Sequence, residues 1–155
     1  MRFILVDTIH ELTPGQHITA SKTLPAHEEL FRDHFPGFPV VPGVLLTEMM
    51  AQAAGRCLDS DGTHRGRAML GKITGASFRE WVHPDQEIML VAKIIQNRPT
   101  YATAECHAEV AGKKVCSAEL FFIFAPREHF TVNYQDEILN AYWDRYPEQR
   151  PKHTL

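Results

Sequence analysis

The chain has 155 residues, and 16 Lys and Arg stand against 19 Asp and Glu, a formal charge of −3 with nine histidines counted as neutral. That length suits one domain with a real core, and the charge gives no reason to expect nucleic acid as a partner. Apolar residues make up 44 % of the chain, yet no run reaches the ~18 to 20 residues a membrane-spanning helix needs, so no membrane partner is expected.

Residues 3–6 (Phe-Ile-Leu-Val) read as a first strand. The run is too short for a signal-peptide core and breaks at Asp7, so a cytoplasmic location is expected. After the turn at Thr13-Pro14-Gly15, residues 16–23 read as a second strand, antiparallel to the first. Residues 24–33 read as a loop or a short helical turn. Residues 44–58 read as a helix that begins near Gly43, and the polar stretch 59–67 as a solvated loop.

Residues 68–80 form an expected strand with a bend between Gly71 and Gly75, followed by a turn around Pro84. Three further runs alternate with period two: 86–96, 101–111 and 115–124. Ile88, Leu90, Ala92 and Ile94 share one face of the first. Ala102, Ala104, Cys106, Ala108 and Val110 share one face of the second, and Cys116, Ala118, Leu120, Phe122 and Phe124 one face of the third. Tight connections make these an antiparallel meander. The small inward side chains of the middle run leave room for a sheet curled around a thick helix. The fold class is therefore α+β: a long central helix wrapped by a curved antiparallel β-sheet.

Residues 1–125 make up that domain, and residues 126–155 a C-terminal extension. Within the extension, residues 134–146 offer a short helix with Ile138, Leu139, Tyr142 and Trp143 as its apolar stripe, ended by Pro147. The last residues are polar and expected to fray. Cys57, Cys106 and Cys116 show no CxxC spacing and read as reduced, buried thiols. His10, His17, His27, His64, His83, His107, His129 and His153 are scattered without metal-ligand spacing and read as surface or structural groups; no metal site is expected.

The chain is organised around residues 34–55, HFPGFPVVPGVLLTEMMAQAAG. Pro36, Pro39 and Pro42 stiffen the first half, and Gly37 and Gly43 permit turns. The second half is apolar or small on almost every side, which suits a helix inside a core. Glu48 lies in its middle with Gln52 one turn later, and a carboxylate there is costly unless paired, protonated or useful.

This stretch closely resembles the signature of the 3-hydroxyacyl-(acyl carrier protein) dehydratases of the FabZ type: His-Phe-Pro-Gly-x-Pro-x-x-Pro-Gly-Val, then Glu-x-Met-Ala-Gln. Weaker likeness covers roughly residues 2 to 125, including residues 2–7, 76–79 and 82–84. The resemblance implies a hotdog fold. It implies dehydration of (3R)-3-hydroxyacyl thioesters to trans-2-enoyl thioesters on acyl carrier protein, in fatty-acid or related polyketide or polyene synthesis, with no cofactor. It also implies a homodimer with shared active sites, and leaves open a trimer of dimers.

Removing water across C2–C3 needs a base for the C2 proton and an acid for the 3-hydroxyl. Histidine as a residue type titrates near neutrality, so His34 suits the base. Glu48 in an apolar setting suits the acid. The backbone N–H of Gly43 at the helix start suits the thioester oxygen. The resemblance assigns the same roles to His34, Glu48 and Gly43, and places the His34 and Glu48 of one site on opposite subunits. Gln52 could orient the Glu48 carboxyl, or be a plain dimer contact. Phe38, Phe78 and Trp81 could line an acyl tunnel, or simply pack in a core, as Met49 and Met50 could. Arg65, Arg67, Lys72 and Arg79 form either a basic rim for an acidic carrier or a solvated face.

The chain departs from the family pattern at Phe38, often Lys, and at Pro84-Asp85-Gln86, where the family has Pro-Gly-Asp. Neither touches His34 or Glu48. The alternatives to a dehydratase are a hotdog acyl thioesterase and a non-catalytic acyl-thioester-binding subunit. Isomerising relatives carry Asp where Glu48 stands, and thioesterases generally lack the paired signature.

Overall fold

The computed structural model describes residues 1–63, 65–132 and 134–152. The expectations for His64, for His153 and for fraying at the last three positions lie outside the described residues. In chain order the elements are β1 (Thr8–Thr13), β2 (His17–Thr23), α1 (Leu30–Asp33), α2 (Gly43–Asp59), β3 (Arg67–Phe78), β4 (Glu87–Asn97), β5 (Tyr101–Val110), β6 (Lys113–Ala125) and α3 (Glu137–Arg145). Two short 3-10 turns, Arg127–His129 and Pro147–Gln149, flank α3.

The six strands form one antiparallel sheet in the order β1-β2-β4-β5-β6-β3. Helix α2 packs against β2, β3, β4, β5 and β6, the arrangement expected of a sheet wrapped around a helix. The alternating faces emerge as read over most of their length: Ile88, Leu90, Ala92, Ala102, Ala104, Cys106, Ala108, Cys116, Ala118, Leu120 and Phe122 are buried, while Ile94, Val110 and Phe124, toward the strand ends, are partly buried against the same core. β5 supplies only Ala and Cys at its fully buried inward positions, so the sheet can close on the helix backbone at mid-length. The expected bend in β3 is a pair of register shifts against β6, between Leu70 and Lys72 and between Ile73 and Gly75.

The start of the chain corrects the sequence reading. Residues 3–6 are not a strand; the first strand is Thr8–Thr13. A register shift between Ile9 and Glu11 places Ile9 and Leu12, rather than Ile9 and Glu11, on the buried side, which erases the period-two pattern. The apolar run before it is engaged by side chains instead. Gln52 Oε1 accepts from Leu5 N at 2.8 Å, Gln52 Nε2 donates to Phe3 O at 3.2 Å, and Lys22 Nζ donates to Ile4 O at 3.0 Å.

Helix α2 is also not apolar on every side. Leu46, Met49, Met50, Ala53, Ala54, Cys57 and Leu58 are buried, and Met49 and Met50 are plain core. Val44 is 77 % exposed, and Glu48, Gln52 and Gly55 are half-buried along the same side. All three cysteines are free and buried, and burial pushes the thiols of Cys57 and Cys106 up to about 12 and that of Cys116 to about 11, so they are inert at neutral pH.

The tail is integrated into this core. Asp136 N-caps α3, accepting from Ile138 N and Leu139 N at 3.1 Å each, and its carboxylate pairs with the buried Arg56 Nε of α2 at 3.1 Å. α3 packs on β1, with Tyr142 and Trp143 buried in the same cluster as Ile9 and Leu12, and Arg145 donates to Ile9 O. Trp143→Ala is expected to lower the unfolding free energy by about 3 to 5 kcal/mol in urea titrations. A loss near zero would show that the tail is not part of the cooperative unit.

Candidate active site

The loop that begins at His34 leads into the start of α2 at Gly43. His34 N donates to Leu30 O at 3.0 Å, closing α1, and Val40 N donates to His34 O at 3.0 Å across the loop. Phe35 and Phe38 exchange backbone hydrogen bonds, with Gly37 at φ +78° making the turn between them. His34 Nδ1 lies 3.0 Å from Val40 O. A carbonyl only accepts, so Nδ1 carries the proton and Nε2 keeps its lone pair. Phe35 stacks on the imidazole at 4.2 Å between ring centroids.

Pro42 precedes α2 and Gly43 is its first residue. The first amides of a helix have no acceptor within it and lie at the positive end of its dipole. The Phe78 ring closes over Gly43: a Cβ there would stand 3.0 Å from Phe78 Cε1. Glycine lets that ring and the helix start meet. Val41 N donates to Val82 O at 2.7 Å, tying the helix entry to the segment after β3.

Glu48 lies half-buried on the open side of α2. Gln52 Nε2 donates to Glu48 Oε1 at 3.1 Å, while Gln52 Oε1 is held by Leu5 N. One amide therefore joins the carboxylate to the start of the chain and leaves Glu48 Oε2 free of it. Glu48 and Gln52 line a cleft of about 520 Å³ together with Ala51, Gly55, Leu70 and Phe122, and His34 is not part of its wall. Within one chain, the structure does not bring His34 and Glu48 into one cavity.

The remaining candidates divide. Phe38 meets Trp81 and His83 edge to face, at 5.2 and 5.3 Å between centroids, and Trp81 is 73 % exposed. These rings form a surface cluster in the single chain, not a closed tunnel. His83 Nδ1 lies 2.9 Å from Pro39 O, which fixes this cluster against the loop. Two of the four basic residues are engaged within the chain and two are exposed. Arg65 pairs with Asp61 at 2.9 Å and lies over Phe124, and Arg67 lies over Tyr134 at 4.1 Å, while Lys72 and Arg79 are exposed. Among the described residues, no three His, Cys, Asp or Glu side chains cluster as metal ligands do.

The FabA-like domain family matches residues 1–119. The chain belongs to the FabA-like family. It is 41 % identical over 123 residues to the 3-hydroxyacyl-[acyl-carrier-protein] dehydratase FabZ of Levilactobacillus brevis, covering 79 % of this chain and 83 % of that one. It is 42 % identical over 121 residues to the FabZ of Pediococcus pentosaceus, covering 77 % and 81 %. The folds of more distant proteins agree. A Streptococcus mutans protein bound to acetyl-CoA superposes at a TM-score of 0.65 with 9 % identity, over 81 % of this chain and 94 % of that one. The dehydratase heterocomplex of Xenorhabdus doucetiae gives a TM-score of 0.60 with 16 % identity, over 81 % and 85 %. The fold of this FabA-like chain is the hotdog fold.

Sequence reasoning missed a charged group at the far end of the cleft. Asp59 ends α2 and accepts from Ala68 N at 2.9 Å, with Arg67 Nε 3.7 Å from its other oxygen. Burial, opposed in part by that hydrogen bond and by Arg67, pushes the Asp59 carboxyl up to about 6. The folded state thus binds this proton more tightly than the unfolded chain does. The Asp59 contribution is most favourable below about pH 4 and is lost as pH rises through about 6. A two-unit shift corresponds to at most roughly 3 kcal/mol. Asp59→Asn keeps the acceptor for Ala68 N. Its unfolding free energy relative to the parent is expected to rise across this pH window, and parallel urea titrations would detect it.

Proposed function

We propose that this chain dehydrates (3R)-3-hydroxyacyl thioesters carried on acyl carrier protein to trans-2-enoyl thioesters, using His34 and Glu48 from opposite subunits of a homodimer. The observation that carries the reading is the pair of preset groups. His34 has a free Nε2 lone pair because Val40 O holds the proton at Nδ1, and Glu48 has one oxygen committed to Gln52 and one left for chemistry. Relatives of about 40 % identity bear the same activity in their names.

In the proposed reaction His34 Nε2 takes the C2 proton as general base. The C2–H electron pair forms the C2=C3 double bond, the C3–O bond breaks, and Glu48 gives its proton to the departing hydroxyl, releasing water. The Gly43 N–H at the start of α2 donates a hydrogen bond to the thioester oxygen as that oxygen gains negative charge. Proton return from His34 to Glu48 restores both groups. Phe38 and Trp81 flank the thioester end of the substrate, and Gln52 holds the Glu48 carboxyl.

Separation of His34 from the Glu48 cleft supports a shared site, and β3 supports the dimer. β3 is a sheet edge of 12 residues, exposed from Met69 onward, with Met69, Leu70, Ile73 and Phe78 each a third to a half exposed. A long apolar edge is a template for pairing with another strand. A second copy of the same edge would continue the sheet and cover these side chains.

His34→Ala and Glu48→Gln are each expected to lower kcat by about 10²- to 10⁴-fold on 3-hydroxybutyryl thioesters, followed by enoyl absorbance. Mixed heterodimers of the two variants should regain part of the rate, because one of their two sites would have both groups. Undiminished turnover by either single variant would sink the assignment. Ile73→Lys is expected to give monomers in sedimentation equilibrium with activity lost in parallel; a fully active monomer would rule out the shared site.

A further inference from the structure

The Glu48 cleft continues along one stripe of α2. Glu48, Ala51, Gln52, Gly55 and Asp59 follow each other at helical spacing on its wall. At about 1.5 Å of rise per residue, the stretch from Glu48 to Asp59 measures about 16 Å. Glycine is disfavoured inside a helix, yet Gly55 stands in the interior of α2, and a Cβ built there would meet nothing within 4 Å. The space above Gly55 is therefore open, and Leu70 and Phe122 provide apolar walls beside it.

The far end is built differently. The cleft meets a second one of about 440 Å³, and both share Asp59, Arg67, Tyr134 and Asp136 as walls. Two of these four come from the tail, beyond the residues matched by the FabA-like family. The tail is fastened at this point by the Arg56–Asp136 ion pair and by the Tyr134 ring under the Arg67 guanidinium. A hydrocarbon chain running from Glu48 past Gly55 would end against an aromatic ring and charged groups it cannot pair with, at a cost in desolvation.

We infer that the C-terminal segment is the end wall of the acyl groove, and that Tyr134, stacked on Arg67, limits the length of acyl chain the site accepts. This rests on the reading of Glu48 as an active-site residue. Tyr134 is a specificity-determining residue here, remote from the reacting atoms. Tyr134 is itself 46 % exposed, so its removal spares the core.

The test uses the full chain and separates binding from turnover. Unreactive acyl-pantetheine amides with butyryl, decanoyl and hexadecanoyl chains are titrated by calorimetry into the parent, Tyr134→Ala and Gly55→Leu. The parent should gain affinity from butyryl to decanoyl and gain none, or lose some, at hexadecanoyl. Tyr134→Ala should gain at least tenfold for hexadecanoyl relative to decanoyl. Gly55→Leu should lose the decanoyl advantage while still binding butyryl. The same length profile in all three proteins would overturn the inference, as would a parent that still gains affinity at hexadecanoyl. Turnover of the matching 3-hydroxyacyl thioesters is measured in parallel. A length profile that shifts as expected in a protein without dehydration would support the wall and overturn the reaction.

Discussion

A helix enclosed by a sheet has few directions left open, and α2 has one. Its buried side chains from Leu46 to Leu58 pack within the sheet formed by β2 to β6, while Val44, Glu48, Gln52 and Gly55 are left on the remaining side. The enclosure depends on β5, whose inward alanines and Cys106 let the sheet approach the helix. A larger residue at Ala104 or Ala108 would push the helix off the sheet and move everything the helix carries. Packing at the back of the helix therefore sets the chemistry at its front.

The same stripe explains why Glu48 is tolerated. It is not deep in a dry core. It lies at the boundary of a cleft, with one oxygen held by Gln52 and the Gln52 amide anchored on the backbone of Phe3 and Leu5. A buried carboxylate without such a partner would be expensive. Held by a neutral amide, it keeps its orientation without a competing positive charge. His34 is set by a comparable device from a separate loop, with a backbone carbonyl choosing its tautomer. Neither group needs the other in order to be positioned, which fits a site assembled from two chains.

The tail adds stability and shape at one place. Arg56 leaves α2 toward Asp136, Asp136 starts α3, and α3 carries Tyr142 and Trp143 into the core beside β1. The end of the cleft is thus joined to the tail by an ion pair of low exposure and by the Tyr134 ring under Arg67. Neutral replacement of such a pair can be harmless, but removing one partner leaves a buried charge alone. That coupling makes the tail part of the domain in energetic terms, although a strand-and-helix pattern read alone would set it aside as an appendage.

Much was legible from local pattern. Period-two alternation in β4, β5 and β6 identified their buried faces, and the Pro- and Gly-rich loop before an apolar run located α2 and its start. The signature residues marked His34, Gly43 and Glu48 as the places to look. Local pattern failed where a register shift broke the alternation, in β1, and where side chains rather than a partner strand satisfied the backbone, at residues 3–6. Periodicity thus determined the fold class, because strand and helix patterns depend on neighbours within a few residues, while the candidate acid and base came from the chemistry of the signature residues and the family resemblance they carry. Only the tertiary structure decided which stripe of α2 stays open, that His34 lies outside the Glu48 cleft, and that Asp136 and Tyr134 line its far end. Arg56 and Asp136 are 80 residues apart in the chain, and no short-range pattern records a contact made by folding the tail back across the sheet.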